Sequence, residues 1–135
     1  MPRLRAFSLL PAVLVIALAT ATMPVLAHHS FAVFFDQEKT VTVKGKVTEF
    51  MFRNPHGVIR VEVTNPDGKK EEWRAETNSP SVLKRRGWSP RSLTVGEVIT
   101  LEGWPARDGS NYMRMRKVTR ENGEVVGKPF EFHED

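Results

Sequence analysis

The chain has 135 residues, no cysteine, and 20 basic against 16 acidic residues. That length holds one small domain, and the missing thiols exclude disulfides, thiolate metal sites, covalent haem attachment and an acylated-cysteine anchor. Arg3 and Arg5 lie in a stretch of 27 residues without an acid, so the other 108 hold 18 basic against 16 acidic residues, a balance unsuited to nucleic acid.

Arg3 and Arg5 form a positive start, and Leu9 to Ala21 is a run of 13 apolar or small residues. Val25 and Ala27 then stand at the −3 and −1 positions of a cleavage site. The pattern predicts a secretory signal peptide over 1–27, cut after Ala27. The run is shorter than the roughly 20 residues that span a bilayer, so no membrane span is expected after processing. A short signal and a chain without disulfides suit a bacterial periplasm.

Residues 28–39 are a lead-in in which Phe31, Phe34 and Phe35 stand at i, i+3 and i+4. That spacing predicts one helical turn docked on the body by these rings. The body follows over 40–122. Thr40 to Phe52 reads as a long strand with Val41, Val43 and Val47 on one parity and Phe50 and Phe52 on the other. The inward face therefore switches between Val47 and Phe50, which predicts a bulge or bend there, with Gly45 close by. Asn54-Pro55-His56-Gly57 and Asn65-Pro66-Asp67-Gly68 both read as type I turns. Between them Ile59, Val61 and Val63 point inward from a second strand, and Trp73 and Ala75 share a face of a third over Glu71 to Thr77.

Ser79 as N-cap, Pro80 at the first helical position and Gly87 as the stop delimit a short helix. Its last turn carries Lys84, Arg85 and Arg86, which suit the helix dipole on a solvated face or, alternatively, an anion patch. Val98 to Trp104 is a fourth strand, Asp108-Gly109 a hairpin and Asn111 to Arg120 a fifth strand. Residues 123–135 are a tail, polar towards its end except for Phe130 and Phe132. Three strands, a helix and two more strands, with a bent first strand, predict an all-β fold: a small five-stranded OB-like barrel with one short helix between strands three and four.

Several segments together carry a resemblance: His28-His29-Ser30-Phe31, Val43 to Phe50, Asn54-Pro55-His56, Ser79-Pro80 with Gly87-Trp88, and Gly103-Trp104-Pro105-Ala106 with Asp108-Gly109-Ser110. The chain resembles a family of small exported bacterial proteins of unknown function. The resemblance implies export and supplies no activity. The order of elements is also similar to that of periplasmic OB-fold proteins, by topology alone.

No nucleophile elbow, phosphate loop or His-Glu-x-x-His helix is present, and no spacing pairs two carboxylates, so nothing in the sequence argues for an enzyme. The expected cut makes His28 the first residue. An α-amine has a reference pKa near 8 and yields its proton to a metal far more readily than lysine. Amine and imidazole of His28 can chelate together, with a second imidazole on His29, and such nitrogens suit copper(II). His56 is the expected partner from the body, because its turn does not require histidine where the parallel turn has Asp67. The alternatives stay open: a polar chain start for His28 and His29, and a solvated turn residue for His56. His133 reads as a bystander. Met113 and Met115 suit core filling or copper(I), while Trp73 reads as core.

Two functional readings follow. One is an exported binding module holding copper(II) through His28, His29 and His56. The other is a metal-independent structural or interaction module whose exposed strand face around Tyr112, Arg114 and Arg116 meets an envelope protein or an anionic glycan.

Overall fold

The computed structural model describes residues 31–131. The expected signal peptide, His28 and His29, and Phe132 and His133 in the tail lie outside the described residues. The elements in order are α1 (Phe31–Phe34), β1 (Val41–Met51), β2 (Val58–Thr64), β3 (Lys70–Glu76), α2 (Pro80–Arg85), β4 (Val98–Pro105) and β5 (Tyr112–Arg120). The strands close into a barrel in the order β1-β2-β3-β5-β4, with β4 returning to β1. This is the five-stranded OB-like barrel expected from the sequence, with α2 between the third and fourth strands.

Closure depends on the length of β1. Val41 to Lys46 pair with β4, and Lys46 to Met51 pair with β2, so one strand serves two neighbours. The register with β2 shifts between Val47 and Glu49, where Thr48 is the extra residue. The bulge exchanges the inward parity, as the valine and phenylalanine positions require: Val47 faces Val61 and Phe50 faces Ile59. A second shift between Glu102 and Gly103 bends the β4–β5 pair. Ile59, Val61, Ala75, Ile99, Leu101 and Val118 fill the interior. Each large aliphatic side chain buried there contributes about 1.5–3 kcal/mol. Met113 and Met115 are fully buried with them, so both serve as core.

The two Asn-Pro-x-Gly segments fold differently. At Asn65 the turn closes by a hydrogen bond from Gly68 N to Asn65 O, 2.8 Å, with Gly68 at φ +81°. At Asn54 the expected type I turn does not form. The Asn54–Pro55 peptide is cis, and Gly57 N donates instead to Asn78 O, 3.4 Å. Helix α2 begins after Ser79 as expected, but the Ser79 hydroxyl bonds Ser81 rather than capping the backbone. Gly87, at φ +84°, ends it.

The lead-in also departs from expectation. Phe34 is exposed, and the docked ring is Phe35, only 2% exposed. The chain leaves α1 to form a β-bridge from Phe35 to Ala106, with Asp36 N donating to Pro105 O at 2.9 Å and Arg107 N to Phe34 O at 2.9 Å. At the other end, Val126 and Phe130 are buried in the core cluster, and Phe130 N donates to Arg116 O.

Gly45 sits where β1 passes from one neighbour to the other. A Cβ there would lie 2.7 Å from Glu62 O and 3.0 Å from Val63 Cγ2. Gly45→Ala is therefore expected to destabilise the barrel by about 1–3 kcal/mol. In a thermal melt this lowers Tm by roughly 4–8 °C per kcal/mol; an unchanged Tm would contradict the close approach.

Candidate functional site

The one parallel pairing in the barrel joins β3 to β5 through Arg74–Tyr112, Ala75–Met113 and Glu76–Arg114. Successive side chains alternate across a sheet. Ala75 and Met113 therefore point into the core, while Arg74, Glu76, Tyr112 and Arg114 share the outer face. Four polar side chains are thus brought together at a single seam.

Arg114 is only 2% exposed although it faces outward. The chain leaving β3 folds over it. Its Nη1 donates to Thr77 O at 2.7 Å and to Glu76 Oε1 at 3.5 Å, and its Nη2 donates to Asn78 Oδ1. Thr77 and Asn78 are themselves buried. A buried guanidinium is tolerated when carbonyl and carboxylate oxygens take up its N–H groups, as they do here.

Glu76 gathers the rest. Its Oε2 accepts from the Tyr112 hydroxyl, and its Oε1 lies 2.8 Å from His56 Nδ1. The Tyr112 ring has the Arg74 guanidinium 4.5 Å from its centroid and meets Phe35 in an edge-on arrangement with the ring centroids 5.0 Å apart. Burial, and then the hydrogen bond to the Glu76 carboxylate, push the Tyr112 pKa up to about 12.

His56 reaches Glu76 because its loop is laid on the segment that covers Arg114. Thr77 N donates to Gly57 O at 2.9 Å, while Gly57 N donates to Asn78 O. A side chain at position 57 would meet Met51 O and Thr77 Oγ1 at 2.6 Å, so glycine is required for this approach. The His56 side chain is 33% exposed and the Glu76 side chain 16%. The pair therefore sits at the boundary between the packed seam and solvent.

Of the metal ligands expected from the sequence, only His56 falls among the described residues. Those residues contain no group of three or more His, Asp or Glu side chains arranged to hold a metal. The basic strand face expected around Arg114 is not an exposed one. Arg114 is buried, and Arg116 donates to Phe130 O and Glu131 while stacking 5.2 Å from the Trp104 ring. Sequence reasoning missed Glu76 and Asn78. The strand order of an OB-like barrel, which sets strand three parallel to strand five, is the signal that places Glu76 beside Arg114; nothing local marks Asn78. No helix among the described residues is long and apolar enough to cross a membrane.

A family model described as a family of unknown function, DUF6152, matches residues 15–114, and the chain belongs to that family. No curated protein matches the sequence. Among solved structures, the ZRD-deleted mutant of TiaS in complex with agmatine is similar at 17% identity with a TM-score of 0.41, over 70% of this chain and 25% of that one.

Tyr112 is the single tyrosine of the chain, so tyrosinate absorbance reads it alone. In the native protein the absorbance is expected to rise only near pH 12, against about 10 after unfolding. Because the folded pKa is the raised one, the native state holds more protons between those values. The stability contributed by this group is then complete below about pH 10 and is lost as pH climbs towards 12. A native titration centred near the unfolded value would contradict the buried contact with Glu76.

Proposed function

We propose that this DUF6152 member is an exported periplasmic binding module that holds copper(II) between its processed N-terminus and its barrel. The ligands are the α-amine and imidazole of His28, completed by His29 or His56. The amine becomes available when the signal peptide is cut after Ala27, and nitrogen donors of this kind favour copper(II) among divalent ions.

The observation that carries the reading is a run of contacts linking the lead-in to His56. Phe35 packs on Tyr112, Tyr112 donates to Glu76, and a Glu76 oxygen lies 2.8 Å from His56 Nδ1. The lead-in is therefore pinned on the side of the barrel that presents His56. His28 precedes α1 by three residues, which span at most roughly 10 Å.

A second reading, a metal-independent interaction module of the cell envelope, is favoured by one different feature. Val33 and Phe34 stand side by side on α1, both exposed, and two adjacent apolar side chains in water suit an envelope protein as partner. An anionic glycan loses its support because Arg114 is turned into the seam.

Copper titration of the protein beginning at His28 separates the two readings. One extra residue placed before His28, or His56→Ala, is expected to weaken binding about 10- to 100-fold. Equal affinity with and without the extra residue would remove the N-terminal site and leave the interaction module.

A further inference from the structure

We propose that the C-terminal end of α2, the loop after it and residues 126–130 form one face that docks on the phosphate headgroups of an anionic phospholipid bilayer. Between Glu76 and Glu97 the chain holds Lys84, Arg85, Arg86 and Arg91 and no acidic residue. Between Glu124 and Glu131 it holds Lys128 and again no acid. The fold joins the two stretches: Lys128 N donates to Arg86 O at 2.8 Å, and Arg86 Nη1 donates to Pro129 O at 2.6 Å. The acids that bound these stretches each pair with an arginine of β5: Glu76 with Arg114, Glu97 and Glu124 with Arg120, and Glu131 with Arg116.

Lys84, Arg85, Arg91 and Lys128 are exposed, and none of these four side chains has an ion-pair partner among the described residues. On the barrel strands, by contrast, Lys44, Lys70 and Lys117 each lie within 3.1 Å of a carboxylate. The helix end does not require the four cations. Leu83 O accepts from Arg86 N and Trp88 N, and Lys84 O accepts from Gly87 N, so these carbonyls of the last turn are met by backbone. Trp88 and Phe130, each 3% exposed, offer no ring on which a nucleic-acid base could stack. Leu83 and Val126 are likewise turned into the core, so the face attracts by charge. Separate, flexible cations of this kind suit mobile phosphate headgroups spread over a surface, where no enclosing pocket is needed.

The four cations take no part in the copper site proposed above, so the test uses metal-free protein and its outcome is separate from that reading. It is co-sedimentation of the protein beginning at His28 with vesicles of mixed phosphatidylglycerol and phosphatidylcholine, or of phosphatidylcholine alone. Binding is expected on the anionic vesicles at ~0.1 M salt and is expected to be lost at ~1 M salt, where screening acts within about 3 Å. Lys84→Ala with Arg85→Ala is expected to lower vesicle affinity about 25-fold, at roughly five-fold for each cation. Lys44→Ala with Lys117→Ala removes the same charge from paired positions and is expected to change affinity about two-fold at most. No binding to the anionic vesicles, equal binding to the neutral ones, or equal losses from the two double variants overturns the proposal. If the protein instead holds a single-stranded oligonucleotide and leaves the vesicles free, the face serves another class of polyanion and the proposal falls.

Discussion

A guanidinium buried on the outside of the barrel is the constraint from which the rest of this seam follows. Removing a charge from water costs several kcal/mol even after the surroundings relax, and a partner lost from such a group is strongly destabilising. Arg114 meets that requirement with Thr77 O, Asn78 Oδ1 and Glu76. The segment after β3 therefore has to cross Arg114 before α2 can begin. With Thr77 and Asn78 in place, the loop after β1 has a surface to lie on, and Gly57 is bonded to both. His56 arrives at Glu76 as a consequence of two backbone segments sharing one support.

The same seam organises what surrounds the barrel. Tyr112 opens β5, meets Glu76 with its hydroxyl and offers its ring to Phe35. The bridge from Phe35 to Ala106 and the bond from Arg107 Nε to Ala32 O then hold the lead-in against the β4–β5 hairpin. On another side of β5, Arg116 holds the backbone of Phe130, and Arg86 stacks on that ring while donating to Pro129 O at 2.6 Å. Arg86, which the sequence offers as part of a basic triplet, is thus partly spent on the C-terminal segment, while Lys84 and Arg85 remain on the exposed face of α2.

The parts of the fold governed by alternation are readable in the sequence. The change of parity between Val47 and Phe50 predicts the bulge at Thr48, and the Ser-Pro to Gly span marks α2. What depends on distant partners is not readable. The segments at Asn54 and Asn65 carry one pattern, yet only the second makes its own turn, because the first bonds Asn78 instead. Phe34 and Phe35 are equally apolar, and the bridge to Ala106 decides that Phe35 is the buried one. Arg114 falls on the polar parity of its strand, where alternation predicts exposure; it is covered by residues 36 to 38 positions away. For the candidate site, His56 is visible as a histidine where its turn does not require one. Its partner Glu76 becomes visible only through the parallel pairing of β3 with β5.

Arg114 supports the crossing on which the site is built, and a double-mutant cycle between Arg114→Met and Asn78→Ala measures that support. With unfolding free energies from urea titration, an interaction energy of about 0.5–3 kcal/mol is expected between the two positions. Losses that add to within about 0.3 kcal/mol would show that the guanidinium and the crossing segment are independent, and would contradict it.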